Sequence, residues 1–323
     1  MGLGFDRRRF LGGLGAAGFA LALRGNSRAQ SSFAFGFPIS DPGTLPGDGF
    51  LVRHGFQTEN TWYNPGNWHT AEDWYRLNGA DTAGASVLAV AEGDVVFVGS
   101  DYPGRVIVIQ HAPELYSMYG HLNPESVGVA EGSHVVRGQQ LAAVAAVPGW
   151  TAPSHLHFEI RNFLYNAEVN GETPRYPYAC GFNCAPGPGY WPMGDPQLPS
   201  GMGWRNPTHI IGNRLLSDGP LTVVVPTGWS GAVELTSHPW QWEDAIDVGL
   251  LDLYPGVRFP VLAVDAGEGA STGTSAEAYF LSYLIDLGDG STGWVRAAVA
   301  DVGDTGTDGR PSSIRFTLLP VLD

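Results

Sequence analysis

Alternating hydrophobic and polar residues are clearest in the stretch Ser-His-Leu-His-Phe-Glu-Ile at residues 154–160. An apolar residue at every second position predicts a half-buried β-strand. Because residues i and i+2 of a strand share a face, His155 and His157 would emerge together while the apolar side chains enter the core. Two imidazoles side by side on a rigid strand could begin a metal site. They could equally be two polar residues on a solvated face.

The same pattern of short apolar runs and Gly-containing turns predicts strands on both sides of this stretch. Before it, we expect strands at 86–91, 94–98, 105–110, 115–121, 135–136 and 140–144. After it, residues 163–205 are rich in Pro, Gly and aromatic residues, which is typical of a long loop that lines a groove or simply covers the surface. Further strand-like runs follow at 221–226, 233–235, 257–264, 278–287 and 293–295. The pattern therefore predicts an all-β fold.

The composition supports an all-β fold and argues against binding of nucleic acid. The 323 residues include 45 Gly and 24 Pro but only 15% charged residues, which favours short strands joined by turns over helices. All 17 basic residues are Arg, and 32 acidic residues bring the net charge to −15. Phosphate binding requires a basic surface, so we expect no nucleic-acid partner. The length allows two domains.

The N-terminus has the pattern of a targeting segment. Three consecutive arginines at 7–9 precede a mildly apolar run at 11–23, which resembles a twin-arginine export signal. Small residues allow cleavage after Ala29, so residues 1–29 would be the signal peptide. The apolar run is too short for a permanent membrane anchor. We therefore expect an exported protein, located in the periplasm, in the cell envelope or outside the cell.

Cys180 and Cys184 are the two cysteines of the chain. In an exported protein a disulfide between them is the expected state, with two thiols as the alternative.

A second set of polar residues could complete a metal site. His69 and Asp73 are four residues apart, and imidazole nitrogen with carboxylate oxygen suits Zn²⁺. The strand that carries His155 and His157 could supply a third ligand and leave one position for water. A third element, Tyr-Gly-His-Leu ending in His121 and Leu122, closes a strand between the two.

These motifs resemble the lysostaphin/LytM-type zinc endopeptidases of cell walls, peptidase family M23. The resemblance rests on residues 69–73 (His-Thr-Ala-Glu-Asp), 119–122 (Tyr-Gly-His-Leu) and 155–159 (His-Leu-His-Phe-Glu), and it covers roughly residues 48–212. Weaker matches to the family pattern lie at 85–98, 127–141 and 206–207. The resemblance implies an antiparallel β-sheet peptidase domain at 48–212, preceded by an irregular segment at 30–47. It also makes 163–205 an insertion.

The resemblance assigns a role to each polar residue. His69, Asp73 and His157 would bind one Zn²⁺ per peptidase domain. His121 and His155 would flank the metal-activated water and the substrate carbonyl, one as base and the other as oxyanion stabiliser, in an order left open. The implied function is an exported endopeptidase that hydrolyses peptide cross-links or bridges of peptidoglycan. The alternative is a non-hydrolytic wall-binding or regulatory protein that keeps the fold.

Several residues depart from the family pattern or lie outside it. Ala71 and Glu72 replace a usual Gly and a usual aliphatic residue, and Glu72 would add negative charge beside the site. Trp150, in the loop before the His-Leu-His motif, would alter the substrate groove. The aromatic residues near the first motif could line that groove or belong to the core: Trp62, Tyr63, Trp68 and Trp74. The remaining histidines are expected to be surface or hydrogen-bonded residues: His54, His111, His134, His209 and His238.

Residues 215–323 predict a smaller C-terminal β-rich domain. A Gly-rich hairpin at 288–290 followed by Gly-Trp-Val at 293–295 loosely resembles a bacterial SH3-type barrel. That resemblance implies cell-wall or peptide binding. The alternative is a β-domain that only packs on the peptidase. The sequence leaves the oligomeric state open.

Overall fold

Antiparallel β-strands dominate the computed structural model, so the all-β fold class is confirmed. The structure describes residues 35–59, 64–99, 104–146, 153–178, 180–214, 221–240, 242–266, 281–300 and 314–321. The predicted signal segment 1–29 lies outside the described residues, as do Trp62, Tyr63 and Trp150.

The strands expected between residues 86 and 160 all form. The strands of this first part of the chain are β1 (Ile39–Ser40), β2 (Phe50–His54), β3 (Asn67–His69), β4 (Glu72–Arg76), β5 (Ser86–Leu88), β6 (Gly93–Gly99), β7 (Arg105–Ala112), β8 (Leu115–Leu122), β9 (His134–Val135), β10 (Gln140–Ala143) and β11 (Leu156–Arg161). A short 3₁₀ helix, Pro124–Ser126, follows β8.

The insertion and the C-terminal part add further strands and two helices. They are β12 (Tyr190–Pro192), α1 (Pro199–Met202), β13 (Trp204–Arg205), α2 (Pro207–Arg214), β14 (Leu221–Val224), β15 (Gly231–Thr236), β16 (Asp247–Leu253), β17 (Arg258–Asp265), β18 (Ser282–Asp286), β19 (Thr292–Arg296), β20 (Ala298–Ala300), β21 (Ile314–Phe316) and β22 (Leu319–Val321). Among the described residues, no helix is long and apolar enough to span a membrane.

In the central sheet, β11 lies between β4 and β8. The strand order is β20-β21-β2-β4-β11-β8-β7-β6-β9, with β13 also pairing with β11. The apolar residues predicted to face inward do so, since Leu156, Phe158 and Ile160 are fully buried. They share the core with β1, β5 and β10, which form a separate three-stranded sheet. Both neighbours of β11 carry residues of the predicted site.

The segment at 30–47, expected to be irregular, contributes to this core. Phe35, Phe37 and Ile39 are almost completely buried, and β1 pairs with β5. Burying large apolar side chains stabilises the fold by roughly 1.5–3 kcal/mol each. The residues between them are buried as well, so both faces of this segment pack against the rest of the protein.

The C-terminal region forms a seven-stranded sheet with the order β16-β15-β19-β18-β17-β14-β22. The two strands between β19 and β22 in sequence, β20 and β21, belong instead to the central sheet, where Ile314 of β21 pairs with Val52 of β2. The ring of Phe316 stacks on Trp74 at 5.4 Å. The described residues after Ser32 belong to one compact unit, and the domain boundary near residue 215 stays a prediction. The SH3-type barrel stays a prediction.

The insertion packs on the sheet through specific contacts. Its strand β12 pairs with β3, with Tyr190 opposite His69. Arg161 at the end of β11 is fully buried and donates to the carbonyl oxygens of Ala185 and Pro186. The predicted disulfide between Cys180 and Cys184 is present. Residues 163–205 are therefore tied to the elements that carry the site.

Candidate metal centre

Three of the predicted site residues converge from three strands. His157 lies in β11 directly opposite Asp73 of β4, and His69 ends β3. The spacing of His69 and Asp73 would suit a single element, but the chain turns between them, so they belong to different strands. A bend and the pairing of β4 with β11 therefore bring the three side chains together.

The donor atoms of these residues form a small triangle. His69 Nε2 lies 3.4 Å from Asp73 Oδ1, His157 Nδ1 lies 3.2 Å from the same oxygen, and the two nitrogens are 3.4 Å apart. A tetrahedral Zn²⁺ with ligands at about 2.0–2.2 Å would separate its ligand atoms by roughly 3.3 Å. All three residues are buried, and Asp73 Oδ1 has no hydrogen-bond partner among the described atoms. The donor set therefore fits a metal ion.

Glu159 orients one of these donors. Its Oε1 lies 3.2 Å from His157 Nε2 and accepts a hydrogen bond from Thr70 Oγ1 at 2.9 Å. Its Oε2 accepts from Trp204 Nε1 at 3.0 Å. When Nε2 of His157 donates to this carboxylate, Nδ1 keeps its lone pair for the centre. The alternation of β11 could have suggested this role, since Glu159 shares the face of His157, but its partners come from distant segments.

The electrostatics of the triangle favour a cation. Burial alone would raise the pKa of Asp73, but His69 and His155 hold it well below its usual range. Burial alone would lower the pKa of His157, yet the neighbouring carboxylates of Asp73 and Glu159 raise it to about 9. A proton on His157 must leave before Nδ1 can bind a metal, so binding would release protons and weaken at lower pH.

His121 and His155 lie beside the triangle as a pair. Their ring centroids are 4.5 Å apart, and His155 Nε2 is 3.7 Å from Asp73 Oδ2. Burial lowers the pKa of both, and in His121 the neighbouring imidazoles lower it well below the usual range. Both rings are therefore neutral near pH 7, the form that can accept a proton or donate a hydrogen bond.

An unusual backbone conformation aims His121 at the site. Gly120 pairs with His157, so a regular strand would turn the next side chain to the opposite face. His121 instead has φ = 58°, in the left-handed region that residues with a Cβ seldom adopt. Its ring centroid consequently lies 6.1 Å from that of His157. Such strain is often found at functional sites.

Two residues that lie beside the candidate metal centre, His54 and Tyr75, were not predicted from the sequence to be there. His54 of β2 is buried, and its Nδ1 lies 3.4 Å from Asp73 Oδ2. The ring of Tyr75 stacks on His155 at 4.8 Å, while the guanidinium of Arg53 lies over Tyr75 at 5.6 Å. A register shift in the pairing of β2 with β4 sets His54 opposite Asp73. That register is not readable from local patterns.

The prediction that Glu72 adds negative charge beside the site is wrong. Glu72 precedes Asp73 on β4, and successive strand residues face opposite sides. Its Oε1 accepts hydrogen bonds from the backbone N–H and hydroxyl of Thr208 on α2. Burial raises its pKa to about 7, with Thr208 opposing the shift.

The other residues singled out lie elsewhere. Trp74 is a core residue, whereas Trp68 is half-buried in β3. His111 contacts Ser117 Oγ at 2.7 Å, and His134 contacts Asp94 at an exposed position. Neither histidine joins the metal centre.

Residues 74–172 match the model of peptidase family M23. The M23 resemblance is thereby confirmed for this segment, and it supports a metallopeptidase. The M23 segment contains His121, His155 and His157 and begins one residue after Asp73. No curated protein matches the chain.

Several solved structures are similar to parts of the chain. A zinc-containing peptidase from Vibrio cholerae is 29% identical over 39% of this chain and 36% of its own length, about a third, with a TM-score of 0.29. The catalytic domain of a prophage-encoded M23 protein from Enterococcus faecalis is 26% identical over 40% of this chain and 88% of its own, with a TM-score of 0.30. Lysostaphin from Staphylococcus simulans is 12% identical over 85% of this chain and 96% of its own, with a TM-score of 0.36.

Proposed function

We propose that this protein is an exported zinc endopeptidase that hydrolyses peptide cross-links or bridges of bacterial peptidoglycan. The observation that carries the proposal is the triangle of donor atoms from His69, Asp73 and His157, with edges of 3.2–3.4 Å, beside two neutral histidines. The M23 match supports a peptidase. Peptidoglycan as substrate follows from the family resemblance, and export from the arginine-rich N-terminus.

His69, Asp73 and His157 would hold the metal. When bound, Zn²⁺ would polarise a substrate carbonyl and lower the pKa of a water to about 7. His155 would take a proton from that water through Nε2. Its Nδ1 lies 3.0 Å from the carbonyl oxygen of Pro153, which favours the tautomer with a proton on Nδ1 and a lone pair on Nε2.

His121 would then donate a hydrogen bond to the substrate oxygen, whereas His155 accepts a proton. Its ring centroid lies 4.5 Å from that of His155, and its neutral form carries one N–H donor. A donor aimed at the developing oxyanion typically contributes about 3–4 kcal/mol to catalysis. We therefore assign His155 as general base and His121 as oxyanion stabiliser.

The test combines metal loading with digestion. The protein is stripped with a chelator, reloaded with one equivalent of zinc, and incubated with peptidoglycans that carry different cross-bridges, and new amino termini are measured. We expect zinc-dependent release from at least one substrate. Release from none of them would instead support the non-hydrolytic wall-binding alternative.

Two variants separate the roles within the site. His157→Ala should abolish stoichiometric zinc binding, because it removes one of three ligands. His155→Ala should retain zinc and lose turnover by about 10²–10⁴-fold. His134→Ala is the matched control, since this exposed histidine lies outside the centre. Equal zinc loss in the variants at 155 and 157 would overturn the division of roles.

A further inference from the structure

His157, Glu159 and Arg161 form a row of buried polar side chains on β11. They occupy alternate positions, so all three lie on one face of the strand. His157 Nε2 lies 3.2 Å from Glu159 Oε1, and Glu159 Oε2 lies 3.5 Å from Arg161 Nη1. The row therefore leads from the candidate metal centre to the last residue of β11.

The far end of this row is bound to the insertion. Nη1 of Arg161 donates to the carbonyl oxygen of Pro186 at 2.9 Å, and Nη2 donates to that of Ala185. A guanidinium is planar and rigid, so two contacts with the insertion fix its position and orientation. The insertion thereby determines where the positive charge lies beside Glu159.

The turn that supplies these carbonyl groups is itself anchored. Asn170 Nδ2 donates to the carbonyl oxygen of Cys184 at 2.9 Å, and the backbone N–H of Cys184 donates to the carbonyl oxygen of Asn170 at 3.0 Å. The disulfide joins Cys184 to Cys180. Gly187 follows with φ = 72°, and a Cβ at this position would lie 3.6 Å from Arg161 Nη1. The backbone of the insertion thus packs closely around the guanidinium.

Glu159 depends on a partner charge because it is completely buried. An ionised carboxylate in a protein interior is stable when it is both paired and hydrogen-bonded. Thr70 and Trp204 donate hydrogen bonds to it at 2.9 and 3.0 Å, but both are neutral. Arg161 supplies a permanent positive charge. The carboxylate can then accept the N–H of His157 Nε2, which directs Nδ1 to the metal centre.

We propose that Arg161 is a positioning residue for metal binding, which fixes Glu159 and through it sets the orientation of His157. The insertion then supports both imidazole ligands, because Tyr190 also holds its ring 5.2 Å from the imidazole of His69. This inference rests on the proposed function for the identity of the metal as zinc.

The test measures zinc affinity in a double-mutant cycle, without peptidoglycan. Arg161→Gln and Glu159→Gln should each weaken zinc binding about 10–100-fold, the usual effect of removing a partner that orients a metal ligand. The double variant should bind zinc as tightly as Glu159→Gln alone, because Arg161 acts through Glu159. It removes both charges together, so we expect it to fold even if Arg161→Gln does not. Arg175→Gln is the matched control, since this arginine binds Glu168 and Asp195 within the insertion.

A second readout separates positioning from a general structural role. Co²⁺ replaces zinc, and the visible absorption of the Co²⁺-loaded protein reports the geometry of the bound ligands. Arg161→Gln should change this spectrum, whereas Arg161→Lys keeps the charge and should restore part of the spectrum and of the zinc affinity. A merely structural role would lower the melting temperature and leave the spectrum of the folded protein unchanged.

Four results would overturn the proposal: wild-type zinc affinity in Arg161→Gln, an unchanged Co²⁺ spectrum, a double variant that binds zinc more weakly than Glu159→Gln, or an equal loss of affinity in Arg175→Gln. The outcome is separable from that of the proposed function. Cleavage of peptidoglycan with a zinc affinity insensitive to Arg161 would reject the positioning role alone. Arg161-dependent zinc binding without cleavage would reject the peptidase alone.

Discussion

His54 should strengthen metal binding through Asp73, although it is outside the donor triangle. Asp73 uses Oδ1 toward His69 and His157, while His54 Nδ1 lies 3.4 Å from Oδ2 on the other side. A hydrogen bond to a charged group contributes about 1.5–3 kcal/mol. Loss of partners that orient a metal ligand typically costs 10–100-fold in affinity. His54→Ala should therefore weaken zinc binding by about 10–100-fold.

The assay is a competition between the protein and a chromophoric zinc chelator at constant pH. His54→Gln provides an internal comparison, because its amide can still donate to Oδ2 and should restore part of the affinity. His111→Ala is the matched control, since this histidine is equally buried but contacts Ser117, outside the centre. Circular dichroism and thermal melting establish that each variant folds.

A specific result would refute this reasoning. If folded His54→Ala binds zinc within twofold of wild type, the contact with Oδ2 does not position Asp73. If His111→Ala loses as much affinity as His54→Ala, the effect comes from general destabilisation of the sheet. Restoration by His54→Gln would exclude that second explanation.

Two further predictions concern neighbours of the metal ligands. Tyr75→Leu removes the ring stacked on His155 and should lower kcat about 2–10-fold without changing zinc affinity, whereas Tyr75→Phe should behave as wild type. Burial raises the pKa of Glu72 from its ordinary value of 4.5 to about 7, so its contribution to stability is present below pH 4.5 and is lost as pH rises through 7. That loss amounts to about 3 kcal/mol, and Glu72→Gln should remove it. Urea unfolding of the metal-free proteins at pH 5 and pH 8 measures the difference, and an unchanged pH dependence in Glu72→Gln would contradict the assignment.

Local pattern was sufficient for the strands and for the residue types of the site. The alternation at 154–160 identified β11 and its buried face, because side-chain direction on a strand depends only on sequence position. The motifs around His69, Asp73, His121 and His157 identified the donor chemistry, because imidazole and carboxylate are ligand types wherever they occur. The distances that make them a site were not readable from the motifs.

Tertiary structure decided which side chains meet. The register of β2 against β4 brought His54 to Asp73, and the pairing of β12 with β3 brought Tyr190 to His69 across more than a hundred residues of chain. Because His121 has a left-handed φ, its side chain lies on the face of the sheet opposite to the one that strand alternation predicts. Strands β20 and β21, which come late in the sequence, extend the central sheet next to β2. The sequence by itself thus determined strand identity and ligand chemistry, whereas register, backbone strain and long-range pairing depend on the whole packed chain.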